Sequence, residues 1–217
     1  MATKINIAID GPAGSGKTTI GKLLAGKLDY RFLDSGLLYR HFAFFCQQKD
    51  SFLESREYEK LLGEWKTELT NWGKGVVLAL EKERKKLSSP IISDLASQLS
   101  PLPELRKITL EFQRQLTKEK GWVVVGRDIT SEVLPYAEIK IFLTASLAER
   151  VKRRNEQLSL NSAEVKQELQ VRDERDQNRS ISPLIKTADS WELDTTNLSP
   201  SESVEKILTY IRQKSLN

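Results

Sequence analysis

Gly11-Pro12-Ala13-Gly14-Ser15-Gly16-Lys17-Thr18 fits the pattern G-x-x-x-x-G-K-[ST] at every fixed position. Glycines in such a stretch let the backbone curl, so that successive N–H groups point inward at phosphate oxygens. The helix that follows adds its positive N-terminal end. Lys17 supplies a point charge for β and γ oxygens, and the Thr18 hydroxyl is placed to ligate magnesium. The flanks agree with this reading. Lys4–Asp10 is short, β-branched and bounded by Gly11, which reads as a buried strand. Within Lys17–Leu28, Ile20, Leu23, Leu24 and Leu28 recur at helical spacing. A strand, a glycine loop and a helix in that order make a phosphate site far better supported than a bare glycine turn.

Outward from the loop, the pattern repeats. Arg31–Asp34 reads as a second strand, Trp122–Val125 and Ile139–Leu143 as two more, and Trp191–Asp194 as a weaker fifth. Ser146–Gln157 reads as a helix opening on a Ser146/Glu149 capping box. The last helix has Ser199, Pro200 and Glu202 at its cap, first and third positions. Such alternation predicts an α/β fold, a five-stranded parallel sheet with helices on both faces. The whole of 1–217 is expected to be one domain with a core of about 1–40, 101–157 and 188–217. Two stretches break the alternation. One is an insert of about 41–100, where Glu68–Thr70 and Val76–Leu80, joined through Asn71–Gly75, read as a hairpin-like pair. The other is 158–190, polar and arginine-bearing, with its 158–187 part expected to be a mobile lid.

Composition narrows the setting. With 217 residues, 39% hydrophobic and 29% charged, the chain has the make-up of an ordinary globule. No stretch approaches the roughly 20 consecutive apolar residues of a membrane helix. The opening residues lack the long apolar core of a signal peptide. Cys46 is the only cysteine, so an internal disulfide is impossible, a reducing cytoplasmic setting is expected, and a zinc site is not. A net charge of +4 and a pI near 9.0 suit an anionic partner, nucleotide phosphates or nucleic acid, but equally a mildly basic enzyme. Glu81–Lys86 mixes signs and reads as an exposed face.

A phosphate loop alone leaves GTPases, ATPases and small-molecule kinases open. A GTPase would carry an N-K-x-D base-reading motif, and Thr117-Lys118-Glu119-Lys120 fails it. A motor ATPase would close a long apolar strand on an acidic residue. Here the third strand runs into Gly126-Arg127-Asp128, which sets an arginine where a phosphate acceptor would lie. Arg40, Arg106, Arg127, Arg150, Arg153, Arg154, Arg172, Arg175 and Arg179 fall near strand ends or in the lid stretch. Guanidinium forks grip phosphate oxygens bidentately and keep their charge at any working pH. A surplus of them suits two phosphate-bearing substrates brought together against their repulsion.

The chain resembles the bacterial cytidylate kinases over nearly its whole length. The resemblance rests on Ile9–Lys17, on Leu33-Asp34-Ser35-Gly36 followed by Tyr39-Arg40, and on Gly126-Arg127-Asp128. It continues through Lys140–Ser146 and Arg172–Arg179. Adenylate kinases share the first loop but neither the Ser35-Gly36…Tyr39-Arg40 form nor the Arg175-Asp176…Asn178-Arg179 run.

The resemblance implies a P-loop nucleoside-monophosphate-kinase fold with a substrate-binding insert and a lid. It also implies transfer from ATP, with Mg2+, to CMP or dCMP. ATP would be held by Gly11, Pro12, Ala13, Gly14, Ser15, Gly16, Lys17, Thr18, Thr19 and Arg153, and Thr18 would ligate the metal. Ser35, Arg40, Arg127 and Arg179 would hold the acceptor phosphate. Ser97, Arg106 and Asp128 would read the cytosine edge, and Arg172 and Asp176 the ribose. Lys17, Arg127 and Arg179 would be the catalytic set.

Cytosine's exocyclic amine donates to a carboxylate, and its ring nitrogen and O2 accept from arginine and serine, which agrees with that assignment. Asp128 as a mere brace for Arg127 is the alternative. The chain departs from the family pattern at Leu87-Ser88-Ser89-Pro90 and at Ile129–Val133. Rival functions are a P-loop kinase of another monophosphate or small acceptor, and a nucleotide-switched nucleic-acid-binding protein. The expected protein is a monomer with no nucleic-acid or membrane partner.

Overall fold

The computed structural model of the chain describes residues 3–49, 55–158 and 162–215. Its elements in chain order begin β1 (Asn6–Asp10), α1 (Lys17–Leu28), β2 (Arg31–Asp34) and α2 (Ser35–Gln48). Then come α3 (Ser55–Trp72), α4 (Val76–Lys82), α5 (Arg84–Leu87), α6 (Pro90–Leu99) and α7 (Pro103–Leu116). The last are β3 (Trp122–Gly126), β4 (Ile139–Thr144), α8 (Leu147–Leu158), α9 (Ser162–Asn178), β5 (Trp191–Asp194) and α10 (Pro200–Ser215). They form two compact units: Met1–Leu33 with Glu119–Asn217, and Asp34–Lys118. The second unit extends beyond the 41–100 insert expected from sequence at both ends. That insert and the expected lid each run partly over residues outside the described ones.

In the first unit the strands form one sheet in the order β2-β3-β1-β4-β5, and every described pairing is parallel. β1 and β3 are buried along their whole length, which is why they read as continuous apolar runs rather than alternating ones. Ile20, Leu24 and Ala25 of α1 and Val204 and Ile207 of α10 close over Ile7, Ile9, Val123 and Val125. Gly21 lets α1 approach closely: a Cβ there would lie 2.7 Å from Val125 Cγ1 and 2.8 Å from Phe32 Cε2. The capping box of α10 is complete, with Ser199 N–H donating to Glu202 Oε2 and Glu202 N–H to Ser199 Oγ. That of α8 is half made. Glu149 N–H donates to Ser146 Oγ, while the Glu149 carboxylate accepts from Arg153 Nε at 2.9 Å.

The second unit is helical, which corrects the expected hairpin. A strand would put Val76, Leu78 and Leu80 on one face. Instead Val76 and Leu80 are buried and Leu78 is 63% exposed, the spacing of a helix. Leu61, Leu62, Trp65 and Leu69 of α3 are likewise buried at helical intervals. Gly73 and Gly75, taken for a hairpin turn, form a 3-10 turn between two helices, with Gly73 at a left-handed φ of 50°. Tertiary burial overrides the β propensity of Val76-Val77. The single histidine, His41, is part of this core: its Nδ1 accepts from Trp65 Nε1 at 2.8 Å, and burial lowers its pKa.

The lid stretch is also more regular than its composition suggested. Its 162–178 part is one helix, α9, with Val165 and Leu169 buried against Leu147 and Val151 of α8 and Ala13 of the glycine loop. Two apolar residues four apart, Val165 and Leu169, seat this otherwise polar helix.

Candidate active site

The glycine loop links β1 to α1 and depends on its glycines. Gly14 and Gly16 adopt φ of 76° and 89°, values that residues with a Cβ rarely reach. A Cβ on Gly11 would lie 2.1 Å from the Leu143 carbonyl oxygen. Lys17 is buried at the start of α1, and its Nζ donates to the Pro12 carbonyl at 2.6 Å and to Ser15 Oγ at 3.2 Å. The ammonium thus lies within the curl of the loop, where phosphate charge is expected. Thr18 and Thr19 follow in the first turn of α1. Arg153 of α8 comes close to the loop: its Nη1 would be 3.6 Å from a Cβ on Gly16. It is fixed by Glu149 and by the Thr195 carbonyl at 2.6 Å. Arg150 ties the loop to α9, donating from Nη1 to the Ala13 carbonyl at 3.1 Å and to Asp173 at 2.6 Å.

Sheet register brings the second group alongside. Asp10, the last residue before the loop, is the partner of Gly126 in β3, so Arg127 and Asp128 emerge beside Gly11. Arg127 Nε donates to Asp176 Oδ2 at 2.7 Å, and Arg179 Nη2 lies 3.8 Å from Asp128 Oδ1. Asp176 is also 3.9 Å from Arg179 Nη1. Burial by itself would push the Asp176 carboxyl up, but Arg127, Arg179 and Arg172 outweigh it and hold the group below the usual carboxylate range. Arg172 and Arg154 share Glu168 at 3.4 Å each. Burial first, and then Arg127 beside it, pull the Arg172 guanidinium below its ordinary value. Nε of both Arg154 and Arg172 is buried without a hydrogen-bond partner among the described residues. Thus Arg127, Asp128, Arg172, Asp176 and Arg179 are brought together as one charged cluster in the first unit.

Ser35, Arg40, Ser97 and Arg106 belong to the second unit. Ser35 is buried at the start of α2, where Asp34 caps the helix by accepting from Gly36 N–H at 3.1 Å. The Arg40 guanidinium passes Gly36 closely, since a Cβ there would be 3.6 Å from Arg40 Nη2. Arg106 of α7 is buried, donates to the Ser100 carbonyl at 3.0 Å, and lies 5.8 Å above the Tyr39 ring. Ser97, on α6, is half-buried, and its carbonyl accepts from Ser100 Oγ at 3.0 Å.

Three features went unread in the sequence. Arg84, taken as part of an exposed charged face, is half-buried and paired with Asp34 at 2.8 Å. Glu81 joins them, and although burial opposes it, these two carboxylates raise the Arg84 pKa. A basic residue within a mixed run of charges gave no signal of that partner. Tyr39 is engaged through its hydroxyl, which Thr109 Oγ1 approaches at 2.9 Å. Asp10 is fully buried, and its sequence signals were its place in the Ile9–Lys17 stretch and a carboxylate closing an apolar strand.

Among the described residues no group of three or more His, Cys, Asp or Glu is placed to hold a metal. No helix of the described residues is long and apolar enough to cross a membrane.

Known proteins share this chain's sequence and fold over most of its length. The family model described as "Cytidylate kinase" matches residues 7–213. A cytidylate kinase of Mycoplasmopsis synoviae is 40% identical over 98% of this chain and 100% of its own length. One from Stutzerimonas stutzeri is 40% identical over 97% and 96%. Among solved structures, a shikimate kinase from Acinetobacter baumannii superposes with a TM-score of 0.51 at 20% identity, over 99% of this chain and 97% of its own. At that identity the likeness is one of fold.

Proposed function

The chain belongs to the cytidylate kinase family, and from that premise we propose that it transfers the γ-phosphoryl group of ATP to CMP or dCMP. The observation that carries the mechanism is the register of Asp10 with Gly126, which sets the glycine loop beside the Arg127–Asp128 corner and its crowded arginines. Donor phosphates lie in the loop against Lys17, held by residues 11–19, with Arg153 towards the nucleotide. An oxygen of the acceptor phosphate attacks the γ-phosphorus in line, forming one P–O bond while the bond to the β–γ bridging oxygen breaks. ADP leaves with that electron pair, and CDP or dCDP is formed.

Lys17, Arg127 and Arg179 stabilise the charge that spreads over the moving group. Magnesium, when bound through Thr18 and the phosphates, neutralises phosphate charge and orients the donor. Ser35 and Arg40 hold the acceptor phosphate with Arg127 and Arg179. Arg172 and Asp176 hold the ribose, and Ser97, Arg106 and Asp128 the base. Asp176 and Asp128 partner the arginines, so phosphate binding exchanges carboxylate partners for phosphate oxygens. The 158–190 segment closes as a lid over both substrates. The enzyme acts as a cytoplasmic monomer.

The test is turnover across the common monophosphates, read as ADP release. Uracil reverses the donor and acceptor that Arg106 and Asp128 need. Each mismatch leaves a buried polar group unpaired at about 1–3 kcal/mol. Two predict a preference of roughly 10²- to 10⁴-fold for CMP over UMP in kcat/KM. Asp128→Ala should lower CMP activity and shrink that ratio, whereas Arg179→Ala should weaken both substrates alike. An unchanged ratio in Asp128→Ala would make that carboxylate a brace for arginine and not a reader of the base.

A further inference from the structure

We propose that Asp10 is a positioning residue for phosphoryl transfer: its carboxylate fastens the turn that carries Arg127 and Asp128 to the strand end that opens the phosphate loop. Asp10 touches no substrate in this scheme. It is the last residue of β1, fully buried, and directly precedes Gly11. Both of its oxygens are used on one short segment. Oδ1 accepts from Ile129 N–H at 2.9 Å. Oδ2 accepts from Thr130 N–H at 2.7 Å and from Thr130 Oγ1 at 2.7 Å.

That segment needs an outside acceptor. Ile129–Val133 forms a wide π-type helical turn, in which Glu132 and Val133 N–H return to the Asp128 carbonyl and Leu134 N–H to that of Ile129. The first N–H groups of any helical turn have no partner within it. Here Ile129 and Thr130 are buried as well, so water cannot serve. Asp10 supplies the missing acceptors from a neighbouring strand.

The two ends of this clamp are functional. On one side Asp10 is bonded to the glycine loop. On the other, Ile129 is bonded to Asp128, which follows Arg127. Slack in the clamp therefore moves Arg127 and Asp128 relative to the donor phosphates. Burial raises the Asp10 carboxyl to about 6, although the Thr130 and Ile129 donors pull it down. The protein thus keeps a desolvated carboxylate where an apolar residue would pack more cheaply, unless its three acceptor contacts are needed.

The inference rests on the kinase reading, and its test separates the two. Asp10→Asn keeps shape but turns one of the two acceptors into a donor, which must face the N–H of either Ile129 or Thr130. Misplacement of reacting groups by about 1 Å can cost on the order of 10²-fold in rate. Asp10→Asn should therefore lower kcat about 10²-fold, with the KM for ATP changed less than about threefold because the loop and Lys17 remain. Thr130→Val, which keeps both backbone bonds, should lose a few-fold in kcat. Combined with Asp10→Asn its loss should be less than additive.

Exchange of the Ile129 and Thr130 amides should speed up in Asp10→Asn. The proposal is overturned if kcat per folded molecule stays near wild type, so that the loss of rate merely follows the folded fraction with both KM values unchanged. If Asp10→Asn does not fold, an unchanged kcat in Thr130→Val overturns it. A wild-type chain idle on every monophosphate would sink the kinase reading instead. Amide exchange would then still decide the clamp, since unchanged exchange at Ile129 and Thr130 refutes it.

Discussion

Replacing Asp176 by Asn removes one negative charge and almost no volume from the middle of the arginine cluster. Asp176 accepts from Arg127 Nε at 2.7 Å and lies 3.9 Å from Arg179 Nη1, with Arg172 also within its field. An Asn oxygen can still accept from Arg127, so the change is mainly one of charge. Removing one partner of a buried ion pair costs about 3–5 kcal/mol, because the other charge is left uncompensated. Here the Arg127 and Asp176 side chains keep 20% and 11% exposure, so solvent screens part of it and about 2–3 kcal/mol is expected. For a chain of this size each kcal/mol shifts Tm by about 2–4 °C, which gives a fall of about 4–12 °C.

The pH dependence has a definite sign. The folded pKa of Asp176 is depressed below the ordinary 3.8, so the unfolded chain binds this proton more readily. Its contribution is present in full above that ordinary value and is lost as pH falls through the folded one. Urea unfolding of wild type and Asp176→Asn should therefore show a constant gap near neutrality that narrows below about pH 4. Inorganic phosphate should raise the midpoint of the variant more than that of wild type, since an anion can replace the missing carboxylate. Equal stabilities at neutral pH, or a gap indifferent to acid, would refute the idea that Asp176 offsets the arginines.

Lys17→Ala should cut turnover by at least about 10²-fold with the fold retained, since it removes charge from the moving phosphoryl group. Retained turnover would end the phosphate-loop assignment. Hydrogen exchange across 158–190 should slow with a bisubstrate analogue and much less with either nucleotide alone, because its arginines gain phosphate partners only then. Exchange that ignores the analogue would reduce the segment to a surface element. Gly21→Ala and Gly26→Ala, both in α1, should move Tm in opposite directions. Alanine gains about 0.8–1 kcal/mol in a helix interior, and nothing lies within 4 Å of a Cβ at Gly26. At Gly21 the clash with Val125 and Phe32 sets about 1–3 kcal/mol of overpacking against that gain. A Tm raised equally by both changes would contradict the tight seat of α1 on the sheet.

The sequence by itself determined those parts of the protein whose physics is local. The glycine loop needs particular backbone angles at Gly14 and Gly16, the strands of the sheet are short apolar runs, and the caps of α10 are side chains bonding to backbone three residues away. Each leaves a mark at fixed spacing, so β1, α1, β2, β5 and the loop were legible within a residue or two. The helical unit was misread where local and global preferences conflict. Val76-Val77 beside two glycines favours a hairpin in isolation, and only burial of Val76 and Leu80 with Leu78 left in water makes it a helix.

The charged cluster was half legible. Arginines in number announced anionic ligands, but which carboxylate faces which guanidinium depends on elements 49 residues apart, as in Arg127 with Asp176. Asp10 belongs wholly to the tertiary structure. Its role exists only because parallel register sets the end of β1 beside the turn after β3, about 120 residues further along, and no periodicity in the chain encodes a contact of that span.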